Sequence, residues 1–196
     1  MRHLTTALVC IAALLNSGCS IVGQGFRLAP HVSYDTPALR ALKAAAHIDG
    51  CPVPTAPATG ELPRVTLPCL GGGPSVPLAS LRGPLVINLW EASCVPCRNE
   101  APFLEAFARK FRGRVAVLGV DYQDWEPSVG IATARAWGVT YPMVADLNMA
   151  IRTVSTPTTI LVDVQGRIRF QQPIPLQNET QLEDLVRQHL GITLPS

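Results

Sequence analysis

Two cysteines three residues apart lie at a corner between a predicted strand and a predicted helix, and this corner constrains the fold more than any other feature of the sequence. The run 85–90 is almost continuously apolar, which predicts a strand covered on both faces. Cys94 and Cys97 follow it, and the helical pattern extends over 95–111. A C-x-x-C pair between a strand and a helix indicates redox chemistry.

The rest of the C-terminal part alternates between the two kinds of element. Further strands are predicted at 114–120, 158–162 and 167–170, and further helices at 127–137 and 179–190. Because alternation comes first and a hairpin comes last, we expect an α/β fold with a central mixed sheet and helices on both of its faces.

The sequence divides into four parts. Residues 1–19 have the layout of a signal peptide, and 20–50 contain a tether and a short helix that begins near Pro37. Residues 51–84 hold eight of the 18 prolines and a run of three glycines, so we expect an extended, irregular segment with one short edge strand at 64–67. Residues 85–193 form the core domain.

The N-terminal segment predicts export. Arg2 and His3 precede an apolar stretch at 7–15 that is too short to span a membrane, and Asn16-Ser17-Gly18-Cys19 resembles the lipobox of bacterial lipoproteins. We expect lipidation at Cys19 and attachment to the outer face of the cytoplasmic membrane. Cleavage near Cys19 without lipidation is the alternative, since Asn16 replaces the usual Leu.

Four cysteines remain once Cys10 leaves with the signal and Cys19 carries lipid. Outside the cytoplasm such thiols are usually paired, and four cysteines allow three connectivities. Cys94 and Cys97 share a motif of their own, which assigns Cys51 to Cys69. Closing that loop should contribute about 3 kcal/mol, mostly by restricting the unfolded chain.

The position of the cysteine pair assigns a role to each sulfur. At a helix N-terminus the free backbone N–H groups and the helix dipole stabilise a thiolate, so Cys94 is the predicted nucleophile. Cys97 lies one turn further in and resolves the mixed disulfide that Cys94 forms. A static disulfide is the alternative. A zinc site is disfavoured because Cys51 and Cys69 lack metal-ligand spacing, and we predict neither metal nor cofactor.

Glu100 lies on the apolar stripe of the same helix. It falls in register with Cys97, Leu104, Phe107 and Phe111 at steps of three and four, so we expect it to point inward beneath Cys97. A buried carboxyl has a raised pKa and can exchange a proton with the Cys97 sulfur. The alternative is that Glu100 bends outward or caps a backbone group. Asn88, a polar residue in a buried strand, is predicted to be a hydrogen-bonded core residue.

Composition disfavours a nucleic-acid-binding protein. The 196 residues carry 16 basic and 14 acidic side chains, a net charge of +2, and aromatic residues make up only 6%. These values leave no strong positive field for a phosphate backbone. We therefore expect no nucleic-acid partner.

Several runs resemble a known family. The stretch from Leu89 to Pro102 resembles the thioredoxin superfamily, and its C-x-P-C-x-x-E-x-P form is similar to the TlpA/ResA branch of extracytoplasmic thiol-disulfide oxidoreductases. Further pieces within 62–190 resemble the same branch: Leu81-Arg82-Gly83, Gly119-Val120-Asp121, Tyr141-Pro142, Asp146, Thr156-Pro157-Thr158-Thr159 and Asp163-Val164-Gln165-Gly166-Arg167.

The resemblance implies a thioredoxin-like three-layer fold and a cis peptide bond at Thr156-Pro157 beside the dithiol. We expect Thr156, Pro157 and Trp90 to bind substrate, and the resemblance supports Glu100 as the acid. Ser93 replaces an aromatic residue usual before the first cysteine, and Asn88 replaces the buried Asp of cytoplasmic thioredoxins. Both departures leave the redox potential open.

The predicted function is reduction of disulfides in envelope proteins, with apocytochrome c as an example of a substrate and a membrane protein as the electron donor. An oxidant that introduces disulfides into exported proteins is the alternative, with a membrane electron acceptor. A binding lipoprotein with two inert disulfides is a third hypothesis. A peroxidase of the peroxiredoxin type is disfavoured, because the Pro/Thr framing before its reactive cysteine is absent.

Overall fold

The structure is a computed structural model and describes residues 32–195. The predicted signal peptide, Cys19 and most of the tether lie outside the described residues. Within the described part, no helix has the length and apolar character needed to cross a bilayer.

In the described part of the chain, five strands form the central sheet: β3 Leu85–Trp90, β4 Ala116–Tyr122, β5 Met143–Asp146, β6 Thr158–Val162 and β7 Ile168–Gln172. Their order is β5-β4-β3-β6-β7, and β3 lies in the middle, parallel to β4 and antiparallel to β6. The outer pairs are β4 with β5, parallel, and β6 with β7, antiparallel. The prediction of a central mixed sheet is confirmed.

Within residues 32–195, four α-helices accompany the sheet, and local sequence explains where they begin. The bounds are α1 Pro37–Ala45, α2 Val95–Lys110, α3 Pro127–Ala136 and α4 Glu179–Leu190. The side chains of Thr36, Cys94 and Asn178 accept backbone N–H bonds in the first turns of α1, α2 and α4. Gly191 ends α4 with φ of +64°, the left-handed conformation that glycine adopts without steric cost.

The structure differs from the prediction in how the two faces of the sheet are covered. All four helices pack in one cluster with residues such as Val86 and Trp90 of β3. The opposite face, which includes Ile87 and Leu89, is covered by apolar side chains of the segment 51–84, among them Leu62, Leu67, Val76 and Leu78. The reason is topological: the connections β3-α2-β4 and β4-α3-β5 step in the same direction along the sheet, and right-handed crossovers then place α2 and α3 on the same face.

Strand pairing and backbone hydrogen bonds order the segment 51–84 and join it to the sheet, and a disulfide links its two parts. Strands β1, Thr66–Leu67, and β2, Val76–Pro77, pair with each other, and a 3₁₀ turn follows at Leu78–Ser80. Next to β1, the N–H of Leu70 donates to Met143 O at 2.9 Å, and the N–H of Ala145 donates to Pro68 O at 3.0 Å, which joins the segment to β5. The predicted disulfide between Cys51 and Cys69 is present, with an S–S distance of 2.01 Å.

Candidate active site

Cys94 and Cys97 form a disulfide at the corner between β3 and α2. Their Sγ atoms lie 2.04 Å apart, and Cys94 is the N-cap residue of the helix. Its Sγ accepts the backbone N–H of Cys97 at 3.2 Å. The first turn of a helix offers N–H groups that have no partner within the helix, so a sulfur at this position is bonded to the positive end of the helix dipole.

The two sulfurs differ in access. Cys94 is half-buried, whereas Cys97 has 1% of its surface exposed. An incoming sulfur can therefore reach Cys94 and not Cys97. Val95, between them, is exposed, as are Trp125 and Val154 in the loops that follow β4 and precede β6. Sequence analysis did not single out these loop side chains as functional. The residue type of Trp125 predicts a packing role, yet 65% of its surface is exposed.

Glu100 lies buried on the inward stripe of α2, one turn beyond Cys97. Its Oε1 accepts from Asn88 Nδ2 at 2.7 Å, and its Oε2 accepts the N–H of Leu176 at 2.9 Å. Burial raises the pKa of Glu100 to about 7, and these two hydrogen bonds lower it in part. The carboxyl thus changes its protonation state near neutral pH. The expectation that Asn88 is a hydrogen-bonded core residue is confirmed.

A small cavity adjoins the buried sulfur. Its volume is about 10 Å³, the lower limit for one water molecule, and its lining includes Cys97, Asn88, Trp90 and Tyr141. Asn88 lines this cavity and also donates a hydrogen bond to Glu100. A single amide group therefore connects the surroundings of Cys97 with the Glu100 carboxyl.

Trp90, predicted as a substrate contact, is buried beneath the corner. Its ring packs edge-on against Trp137, with centroids 5.3 Å apart. It lines the cavity beside Cys97 and so forms part of the floor of the site.

The Thr156-Pro157 bond is cis, as the resemblance implied. Antiparallel pairing of Leu89 with Thr158 brings this loop opposite the chain that leaves β3. There Thr156 Oγ1 donates to Glu91 Oε1 at 3.0 Å. From the other side, Asp124 Oδ2 accepts the N–H of Ala92 at 2.9 Å. Two side-chain contacts therefore hold the loop that leads into Cys94.

Asp121 is a buried acid that the sequence marked only as part of the run Gly119-Val120-Asp121, with no role predicted for its carboxyl. It lies beside Trp90 in the β3–β4 pairing, and as a carboxylate neither of its oxygens has a hydrogen-bond partner among residues 32–195. Burial first, and then the neighbouring carboxyls of Asp124 and Glu91, raise the pKa of Asp121 to about 9. Asp121 is thus a neutral acid at pH 7, able to donate a hydrogen bond to Asp124.

No group of three or more His, Cys, Asp or Glu side chains within residues 32–195 is arranged to hold a metal ion.

Comparison with known proteins assigns the chain to a family. The model of the AhpC/TSA family matches residues 59–171, more than half of the chain. The chain belongs to the AhpC/TSA family. The matched range includes the predicted dithiol, Glu100 and the cis loop.

Several similar proteins are named for thioredoxin-like or thiol-disulfide redox chemistry. Thioredoxin-like protein YneN of Bacillus subtilis is 28% identical over 56% of this chain and 67% of its own length. The thiol:disulfide interchange protein DsbE of Pseudomonas fluorescens biotype C is 28% identical over 63% of this chain and 70% of its own. Thiol-disulfide oxidoreductase ResA of Bacillus subtilis is 22% identical over 63% and 69%.

A solved structure supports the fold. The crystal structure of a secreted Mycobacterium tuberculosis disulfide oxidoreductase homologous to Escherichia coli DsbE superposes with a TM-score of 0.56, covering 64% of this chain and 96% of that one at 18% identity. The predictions of a thioredoxin-like fold and of a thiol-disulfide oxidoreductase similar to the TlpA/ResA branch are confirmed.

Proposed function

We propose that Cys94 and Cys97 are the redox-active pair of this oxidoreductase and that Glu100 handles the proton of Cys97. The observation that carries the proposal is the asymmetry of the corner: a half-exposed sulfur at a helix N-terminus lies above a buried sulfur, and a carboxyl with a pKa of about 7 lies one turn further along the helix. This arrangement suits two successive thiolate attacks.

In the reductive direction, the Cys94 thiolate attacks one sulfur of a substrate disulfide. The substrate S–S bond breaks, one substrate thiolate departs, and a mixed disulfide forms on Cys94. Glu100 then accepts the proton of the Cys97 thiol, and the Cys97 thiolate attacks Cys94 Sγ. The second substrate thiolate departs, so two electrons pass to the substrate and the Cys94–Cys97 disulfide forms.

Substrate binding is assigned to the cis loop. Thr156 and Pro157 face the chain that leads into Cys94, and the exposed side chains of Val95, Trp125 and Val154 supply apolar contact area on adjacent loops. Trp90 supports this surface from beneath through its packing on Trp137. An extended peptide segment with a disulfide is the substrate that such a surface fits.

The proposed setting is the cell envelope. The layout of residues 1–19 supports export, lipidation of Cys19 and attachment to the outer face of the cytoplasmic membrane. We infer that the direction is reductive, that apocytochrome c is one candidate substrate, and that a membrane protein supplies the electrons. The resemblance to the TlpA/ResA branch supports this direction.

Trapping of mixed disulfides tests the proposal. In the native host, a Cys97→Ala variant cannot release substrates from Cys94, so we expect covalent complexes that a reductant dissolves and whose partners mass spectrometry identifies. Partners with haem-attachment cysteines support the cytochrome role, and a broad set of secreted proteins supports the oxidant instead. The matched control is Cys94→Ala, which should trap nothing. Equal yields from both variants would overturn the assignment of the nucleophile.

A further inference from the structure

Lys43 is a buried ammonium group on α1 that the proposed function does not use. Only 8% of its surface is exposed. Its Nζ donates to Gly72 O at 3.1 Å and lies 3.0 Å from Cys69 Sγ. Among residues 32–195 no carboxylate oxygen lies within 4 Å of this Nζ, and the carboxyl of Asp35 nearby is paired with Arg40. The charge therefore faces a carbonyl and a disulfide sulfur.

The glycine run 71–73 is shaped around this lysine. Gly71 and Gly72 have φ angles of +76° and +92°, a backbone conformation that residues with a side chain rarely adopt. A Cβ on Gly71 would lie 2.8 Å from Lys43 Cβ, closer than real side chains pack. The run thus lets the backbone close over the Lys43 stem and brings Gly72 O to the ammonium. The sequence predicted only an irregular segment here. In the structure, the glycine run forms a close-fitting binding site for the Lys43 ammonium group.

Both sulfurs of the Cys51–Cys69 disulfide already have the partners that a reduced pair needs. A thiolate at Cys69 would take the Lys43 ammonium as its counterion. A thiol at Cys51 would donate to Met143 O, which lies 3.1 Å from Cys51 Sγ. A buried ammonium gains far more from a thiolate than from a neutral disulfide sulfur, so this environment stabilises the reduced state.

We propose that Cys51–Cys69 is a second thiol–disulfide exchange site, reducible by a protein dithiol, in which Lys43 stabilises Cys69 as the leaving thiolate. The order of steps follows from access, since Cys51 is 7% exposed and Cys69 is 2% exposed. The site is separate from the Cys94–Cys97 pair and does not depend on the function proposed for that pair.

Reduction of the Cys51–Cys69 pair takes two steps. A thiolate of the reductant attacks Cys51 Sγ, the Cys51–Cys69 bond breaks, and its electron pair goes to Cys69 Sγ beside Lys43. The second thiol of the reductant then displaces Cys51, which takes up that thiol's proton as it leaves. The reductant becomes a disulfide, and this protein gains two electrons.

The residues beside Cys69 contact the edge of the central sheet. Pro68 and Leu70, which flank Cys69, hydrogen-bond to β5 residues Ala145 and Met143, and Met143 also lines the cavity beside Cys97. The backbone on either side of Cys69 thus contacts a strand that contributes Met143 to the cavity beside Cys97.

Equilibration with dithiothreitol tests the site directly. The whole protein is titrated with reduced and oxidised dithiothreitol, quenched with acid and alkylated, and the two cysteine pairs are then read separately on their peptides. In Lys43→Met the Cys51–Cys69 pair should become at least tenfold harder to reduce, which corresponds to about 30 mV. The matched control is Lys110→Met, the same change at the only other lysine of the chain, which should leave both pairs unchanged.

A second measurement needs no lysine variant. In the reduced wild-type protein, the pH dependence of alkylation is read separately for each cysteine peptide. Cys69 should titrate below the usual thiol range near pH 8.5, and Cys51 should not. A Cys51–Cys69 midpoint that Lys43→Met leaves within threefold of wild type, or a Cys69 that titrates at or above the usual value, would overturn the proposal. Neither result touches the Cys94–Cys97 peptides, which report on the main function.

Discussion

At the scale of single residues, two buried carboxyls near the dithiol have different surroundings and therefore lose their protons in different pH ranges. Glu100 accepts two hydrogen bonds, which keep the pKa of its carboxyl at about 7 despite burial. Asp121 lacks such donors among the described residues and has a pKa of about 9. Near neutral pH, only Glu100 is able to exchange a proton easily in both directions.

Glu100→Gln should remove proton exchange and keep the shape of the site. The amide can still accept from Leu176 N–H and can donate to Asn88 if that amide turns over. We expect turnover of a disulfide substrate to fall about 10²-fold and the titration near pH 7 to vanish from the pH–rate profile. The matched control is Glu105→Gln on the same helix, whose carboxylate bonds Thr140. A profile that keeps its limb near pH 7 in Glu100→Gln would exclude Glu100 as the proton carrier.

Asp121 makes the stability of the fold depend on pH. The folded protein keeps the proton of Asp121 up to about pH 9, whereas the unfolded chain loses it near pH 4. Between these values the folded state binds more protons, so the free energy of unfolding falls as pH rises. Asp121→Asn should remove up to about 1.4 kcal/mol per pH unit of this slope. Urea unfolding of both proteins at several pH values measures it, and parallel curves would contradict the assignment.

At the scale of elements, the close packing of α3 on β4 depends on a missing side chain. Gly130 lies inside α3 directly above the carboxyl of Asp121, and a Cβ there would overlap Asp121 Oδ2. Helix propensity alone favours alanine over glycine by about 1 kcal/mol. The packing of α3 against Asp121 favours glycine at this position instead.

Gly130→Ala should therefore lower the free energy of unfolding by about 1–3 kcal/mol, since the added methyl group pushes α3 away from the sheet. Thermal unfolding at constant pH measures the change. If the variant gains stability, as propensity alone predicts, the contact between α3 and Asp121 is looser than described.

The elements with strong local signals were predicted well from the sequence. Strand β3, strand β6 and helix α4 have the predicted bounds, because an apolar run or an amphipathic period is flanked by turn residues. Strand β5 was missed, since four buried residues between Tyr141 and Leu147 carry no periodicity and are fixed by pairing with β4. The bonds around Glu100 were equally beyond reach, because Leu176 is 76 positions away in the sequence.

At the scale of the whole molecule, the segment 51–84 takes the place that the prediction gave to helices. Its apolar side chains cover one face of the sheet, and the Cys51–Cys69 disulfide anchors it beside β5. Composition indicated an irregular segment but not its partner, because the contacts are made with strands far away in sequence. The disulfide closes a loop with a sequence separation of 18.

Replacing both Cys51 and Cys69 by Ala should lower the free energy of unfolding by about 3 kcal/mol, through the loop-closure entropy of the unfolded chain. The variant also leaves Lys43 without its sulfur partner, which adds to the loss. Urea unfolding measures the change, and the Cys94–Cys97 pair of the same variant should still react with substrate. A loss below about 1 kcal/mol would show that the segment is held by its apolar contacts alone.

The proposed function requires that the Cys94–Cys97 disulfide opens and closes reversibly while the fold stays intact. Equilibration in buffers of defined thiol–disulfide potential, with both peptides quantified after alkylation and circular dichroism recorded on the same samples, tests it most directly. We expect one two-electron transition of this pair, traced identically in the reducing and the oxidising direction, with unchanged circular dichroism. A pair that stays closed until the protein unfolds, or that fails to re-form, would exclude a redox role for Cys94 and Cys97.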